Sequence, residues 1–156
     1  FEMINLKTSH MLGLSAELGS LVTNSSIEIS ESLRKFGLLI GKAFQVQDDL
    51  LEVVSSSEIM GKTLLSDIVL NKKTYLFIKA NEDYPNELNK IYKKNKNNDN
   101  NLNSEIRTFL YDTKIIEDCK QCIELIFDEL NRSLKKIDIK KNKLRLFINN
   151  IRNRKF

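Results

Sequence analysis

Nine consecutive residues, Phe36-Gly37-Leu38-Leu39-Ile40-Gly41-Lys42-Ala43-Phe44, carry a single charge, that of Lys42. A helix that is apolar nearly all round is stable only when other segments wrap it, so this run predicts a central, buried helix. No apolar stretch of the chain reaches the roughly 20 residues that a bilayer span takes. No transmembrane segment is therefore expected, and the wrapping has to come from protein. The helical pattern extends on both sides of the run, from about Ile27 to Val54. Asn24-Ser25-Ser26 precedes it, and Ser25 with Glu28 three residues on has the form of a capping box. Ser55-Ser56-Ser57 ends it. Gly37 and Gly41 lie one turn apart and would admit the backbone of a neighbouring helix.

The remaining segments read as helices around that one. With 1 Pro and 5 Gly in 156 residues, little turn chemistry is present for a many-stranded sandwich or barrel. An apolar fraction of 41% exceeds what a disordered tail carries. The expected class is all-α. Ile4, Leu6, Met11, Leu12, Leu14, Leu18, Leu21 and Val22 recur near helical spacing and predict a helix over residues 2–22. Leu64 to Leu70 and Thr74 to Ala80 read as short helical pieces, and Asp83 followed by Pro85 as a capped helix start. Residues 89–103 contain seven Asn and four Lys, which predicts a polar loop too hydrophilic to bury a face. Helices are expected again over Glu105–Lys136, with a break near Asp112, and over Lys143–Arg152.

Charge is unevenly spread. Residues 1–88 carry 8 lysines and arginines against 12 carboxylates, whereas residues 89–156 carry 17 against 9. Residues 135–156 alone hold nine basic side chains and one acid, Asp138. Such an end can meet nucleic acid or another polyanion, or it can be a solvated helical face. It has neither a docking signature nor interleaved aromatics, so the solvated face is expected and nucleic acid is not an expected partner. Cys119 and Cys122 form a Cys-x-x-Cys inside a helical pattern beside Glu117 and Asp118, which would raise thiolate pKa values rather than lower them. His10 is the only other soft metal ligand, too few for a zinc site.

The chemistry concentrates where the apolar helix ends, in Phe44-Gln45-Val46-Gln47-Asp48-Asp49-Leu50-Leu51-Glu52. Gln45 and Asp48 are three residues apart and Asp48 and Glu52 four, so they share a face, while Asp49 and Glu52 are also one turn apart. Carboxylates crowded at the end of an apolar helix repel one another and are costly to bury without cations. Hard divalent ions such as Mg²⁺ take oxygen ligands of this sort, usually together with substrate phosphate. Spacing alone fits equally a helix emerging into water at Gln47.

Further pairs flank this stretch in order: Lys7-Thr8 before it, then Gly61-Lys62, Asp67 and Asn71-Lys72-Lys73-Thr74 after it. Together with Phe44, Gln45, Asp48, Asp49 and Glu52, they resemble the C-terminal half of trans-isoprenyl (polyprenyl) diphosphate synthases. That family's second aspartate-rich motif reads Phe-Gln-x-x-Asp-Asp-x-x-Asp. The resemblance implies the C-terminal part of an isoprenoid-synthase helical bundle. It also implies a prenyltransferase that condenses an allylic diphosphate with isopentenyl diphosphate, with Mg²⁺ assisting ionisation to a carbocation. By position, Asp48, Asp49 and Glu52 would hold the metal, and Lys7, Lys62 and Lys72 would grip diphosphate. Lys7, Thr8 and Gln45 would act at the reacting centre, with Arg152, Arg154 and Lys155 near a substrate diphosphate. Glu52 stands where the family has Asp, and Asn71 where it has Gly.

The family's first aspartate-rich motif does not occur in these residues, and the chain opens at Phe1 inside a helical pattern. The expectation is an incomplete portion of the enzyme, inactive alone, forming a homodimer as the family does. The alternatives are a regulatory subunit in a hetero-oligomeric synthase and, ranked below it, a basic nucleic-acid-binding module. Product length and compartment are not set by these residues.

Overall fold

A computed structural model of the chain describes residues 2–54, 74–96, 98–137, 140 and 142–154. In chain order the helices are α1 (Glu2–Ile4), a π-helical turn (Asn5–Ser9), α2 (His10–Val22), α3 (Ile27–Val54), α4 (Tyr75–Asp83), α5 (Pro85–Lys94), α6 (Asp99–Asp112), α7 (Ile115–Lys136) and α8 (Asn142–Arg152). No strand occurs among the described residues, as the shortage of proline and glycine predicts. The chain divides into two compact units, Phe1–Gln45 with Cys122–Lys155, and Val46–Gln121 with Phe156.

In the first unit α2 and α3 form a tight antiparallel pair. Val22 is the last residue of α2, and the chain then turns through Asn24, whose φ of 52° lies in the left-handed region that Asn tolerates. The Ser25 N–H donates to the Ser20 carbonyl at 3.1 Å and the Asn24 N–H to the Leu21 carbonyl at 3.0 Å. These two bonds satisfy carbonyls that the helix end leaves without partners. The predicted capping box is shifted by one residue. Ser26, not Ser25, receives the Ile29 N–H at 3.4 Å, and its hydrogen bond lowers the pKa of Glu28. Ser25 instead pairs with the Thr23 hydroxyl at 3.0 Å.

Along the pair, Ser20 Oγ donates to Ser30 Oγ at 2.8 Å, and Arg34 reaches Glu17. A Cβ on Gly37 would lie 2.4 Å from the Leu12 carbonyl oxygen, and one on Gly41 would lie 2.5 Å from Ser9 Cα. The two glycines do admit a neighbouring backbone. In the same unit Phe36, Leu39, Ile40 and Ala43 of α3 and Ile123, Ile126, Phe127, Leu130 and Leu134 of α7 are buried.

In the second unit the buried side chains include Val46, Leu50 and Val53 of α3, Leu76 and Phe77 of α4, Ile106 and Leu110 of α6, and Ile115, Ile116 and Cys119 of α7. The polar loop expected over 89–103 is corrected: α5 runs to Lys94 and α6 starts at Asp99. Asn95, Asn98 and Asn101 serve as helix-end chemistry. Asn98 caps α6 by accepting the Asn101 N–H at 3.1 Å. Asn95, 2% exposed, donates to the Ile91 carbonyl at 2.9 Å and to Glu105, and accepts from Asn101. Bonds from Lys94 and Asn95 hold the Glu105 carboxyl below its usual range. Leu102 and Ile106 supply the buried face. Of these Leu102 lies within the run, where the composition average hides it.

Smaller differences follow the same logic. Asp83 ends α4 and pairs with Lys79 at 2.8 Å rather than capping α5, which starts at Pro85 after Tyr84. The break expected near Asp112 falls at Thr113-Lys114, where Lys114 has a φ of 61°. The helical piece expected over Leu64–Leu70 lies outside the described residues.

Candidate functional site

Helix α3 changes character at one residue. From Phe36 to Gln47 every position is buried or half-buried; Asp48 is exposed, and the helix is then buried or half-buried again to Val54. Asp48 is thus the one exposed residue among the described positions of α3 after Lys35. The long apolar run brings the helix to this point, and the first side chain it delivers to solvent is a carboxylate.

In the first unit, the residues just before Asp48 meet the π-helical turn. Thr8 Oγ1 donates to Gln45 Oε1 at 3.0 Å. Ser9, next in sequence, is fully buried where Gly41 lets the two backbones approach. Lys7 is exposed on the same turn. A π-helical turn widens the ring of backbone hydrogen bonds and is frequent at functional positions. No spacing in the sequence announces it, because residues 2–22 keep their apolar period through it. The aromatic face of Phe44, immediately before Gln45, carries the Arg154 guanidinium 4.1 Å from its ring centre, a cation–π contact. Arg152 bonds Glu124 and lies 5.8 Å over the Phe127 ring.

In the second unit, the carboxylates separate by role. Successive helical residues point about 100° apart, so the adjacent aspartates cannot share a surface. Asp49 is 8% exposed and its Oδ2 accepts the Tyr75 N–H at 2.9 Å. Tyr75 is the first residue of α4, and the Thr74 hydroxyl accepts the Phe77 N–H at 3.4 Å from the same helix end. Glu52 is half-buried, one turn beyond Asp48. Beyond it, Arg107 Nη2 donates to the Val54 carbonyl at 3.0 Å. That bond satisfies a terminal carbonyl of α3 and sets a cation where the helix dipole is negative. Arg107 stands 53 residues from its acceptor, and no local pattern in the sequence points to it.

Lys62 and Lys72 lie outside the described residues, as do Asp67, Asn71 and Lys155. Among the described residues no group of three or more His, Cys, Asp or Glu side chains stands gathered for a metal ion. The donor set on α3 nevertheless suits Mg²⁺. Its oxygens are hard, and that ion is commonly held by one or two carboxylates completed by water and substrate phosphate rather than by a protein cage. Asp48 and Glu52 could serve as such a pair. Among the described residues no helix is long and apolar enough to cross a membrane.

Comparison with known proteins gives a consistent family. A family model described as Polyprenyl synthetase matches residues 1–109. The geranylgeranyl diphosphate synthase of Methanosarcina mazei is 38% identical over 81 residues, covering 52% of this chain and 25% of that protein. The chloroplastic large subunit 1 of the heterodimeric geranylgeranyl pyrophosphate synthase of Arabidopsis thaliana is 40% identical over 93 residues, covering 57% and 25%. The crystal structure of heptaprenyl diphosphate synthase from Staphylococcus aureus superposes with a TM-score of 0.87 at 21% identity, covering 98% of this chain and 49% of that one. At that identity the superposition establishes the fold. The matched region spans about a quarter of the curated relatives and half of the solved structure.

Proposed function

This chain belongs to the polyprenyl synthetase family, and we propose that it forms the part of a trans-prenyltransferase that carries the second metal-binding helix. The reaction condenses an allylic diphosphate with isopentenyl diphosphate, and the family's other aspartate-rich motif comes from outside these residues. The observation that carries this reading is the exposure of Asp48 after an unbroken run of buried or half-buried positions from Phe36 to Gln47, one turn before Glu52.

In the proposed mechanism Asp48 and Glu52 would hold Mg²⁺, and Lys7, Lys62 and Lys72 would contact diphosphate. Mg²⁺ held there would supply positive charge that offsets the repulsion of carboxylates and phosphate. The allylic C–O bond breaks with its electron pair leaving on diphosphate, whose growing charge the lysines stabilise. The double bond of isopentenyl diphosphate attacks the allylic cation, and loss of a proton restores an alkene. Thr8 and Gln45 face the cation in this reading. The Thr8 proton is committed to Gln45 Oε1 at 3.0 Å, which fixes the hydroxyl dipole and leaves oxygen lone pairs to stabilise positive charge.

The test is turnover of allylic and isopentenyl diphosphates by the chain joined to the part bearing the first aspartate-rich motif. Asp48→Ala is expected to lower kcat/KM at least about 100-fold, roughly 3 kcal/mol of transition-state stabilisation. Unchanged turnover in that variant would remove Asp48 from the site. A second reading is a regulatory subunit of a hetero-oligomeric synthase. Glu52 in place of aspartate supports it, as does similarity to a subunit of a heterodimeric synthase. It predicts no turnover from the joined chain and a stable complex with an active partner on size-exclusion chromatography.

A further inference from the structure

We infer that Asp49 is a positioning residue that ties the carboxylate helix to the start of α4, leaving metal contact to Asp48 and Glu52. The inference rests on the reading of α3 as a metal-binding helix and assigns different work to its two adjacent aspartates. Asp48 is exposed, whereas Asp49 is 8% exposed and turned into the second unit. Its Oδ2 receives the Tyr75 N–H at 2.9 Å. That N–H belongs to the first turn of α4, where no intrahelical acceptor exists. The Thr74 side chain takes the Phe77 N–H of the same turn, so the two side chains divide the helix end between them. A carboxylate here is favoured by charge-assisted hydrogen bonding and by the helix dipole.

The bond joins residues 26 apart. The intervening sequence contains Lys62 and, three residues before Tyr75, Lys72. Asp49 therefore tethers the exit of the lysine-bearing segment to the helix that presents Asp48. A ligand role and a tether role make opposite demands on charge. An asparagine at position 49 keeps an oxygen acceptor for the Tyr75 N–H and removes the negative charge that a metal requires.

The experiment uses the ¹⁵N-labelled chain, with Mn²⁺ and inorganic diphosphate as the probe. Asp49→Ala is expected to accelerate amide exchange at Tyr75 about tenfold or more, and Asp49→Asn to leave it within about threefold of the parent. In Mn²⁺–diphosphate titrations, Asp48→Ala is expected to raise Kd about tenfold or more, and Asp49→Asn by less than about threefold. Tyr75 exchange unmoved by Asp49→Ala, or a Kd for Asp49→Asn as weak as that of Asp48→Ala, overturns the inference. If this chain alone takes up no Mn²⁺–diphosphate, the titration is run on the chain joined to the part bearing the first aspartate-rich motif; no uptake there sinks the metal reading of α3, and Tyr75 exchange alone then decides the tether. If Asp49→Ala does not fold, the isosteric Asp49→Asn variant still carries the decision, because a ligand loses affinity and a tether does not.

Discussion

Replacing Gly37 by alanine puts a Cβ 2.4 Å from the Leu12 carbonyl oxygen, 2.7 Å from its carbon and 2.8 Å from Gly13 Cα. Ordinary contacts between carbon atoms lie near ~3.5–4.0 Å, so α2 and α3 must separate by about 1 Å locally. All three obstructing atoms are backbone, and no rotamer change relieves them. Overpacking of this kind costs about 1–3 kcal/mol, with the rigid backbone favouring the upper end. Helix propensity returns about 0.5–1 kcal/mol of that. The expected net loss is about 2 kcal/mol, a fall in Tm of about 4–8 °C for a chain of this size. Gly19 is the internal control, because it lies in α2 and a Cβ added there would meet nothing within 4 Å. Gly19→Ala should gain about 0.5–1 kcal/mol from propensity alone. Urea titrations followed by far-ultraviolet circular dichroism would separate the two by midpoint, with the slope constant unchanged. Gly37→Ala at or above the parent midpoint would refute the close-packing argument. Gly41→Ala carries the test toward the site, since its Cβ would press on Ser9 Cα at 2.5 Å, beside the Thr8–Gln45 bond.

Three other outcomes are expected. The Tyr92 hydroxyl is buried with no hydrogen-bond partner among the described residues, and burial pushes its pKa up to about 12. Between pH 10 and 12 the unfolded chain gives up this proton while the folded chain keeps it, so stability falls as pH rises. Allowing for partial solvent screening, the loss is about 1 kcal/mol at pH 11. Tyr92→Phe should remove that loss, and an equal difference between the two proteins at pH 8 and pH 11 would contradict it. Phe127 is fully buried, so Phe127→Ala should cost about 3–5 kcal/mol in chemical denaturation; a loss below about 1 kcal/mol would mean the site collapses around the smaller side chain. The Arg34–Glu17 pair is solvent-accessible, with side chains 44% and 22% exposed. Arg34→Ala should therefore cost no more than about 1 kcal/mol, and less in about 1 M salt, where a salt-independent loss would point to packing by the arginine stem instead.

The sequence by itself determined a large share of this protein. The bounds of α3, the close approach at Gly37 and Gly41, and the family all follow from local residue order. A buried helix must be apolar over its whole surface, and a motif is a fixed order of residue types. The Asn-rich stretch defeated that logic, because capping and hydrogen bonding at Asn95 and Asn98 depend on individual positions, and a composition average erases them. Arg107 on the Val54 carbonyl and the π-helical turn at Asn5–Ser9 left no trace in periodicity. Above all, the order Asp48-Asp49 cannot say which carboxylate meets water. Helical geometry sends the two side chains in different directions, and only the arrival of α4 made one of those directions buried. That arrival turned Asp49 into the acceptor of a backbone N–H and left Asp48 as the carboxylate facing solvent, a division of roles that belongs to the tertiary structure alone.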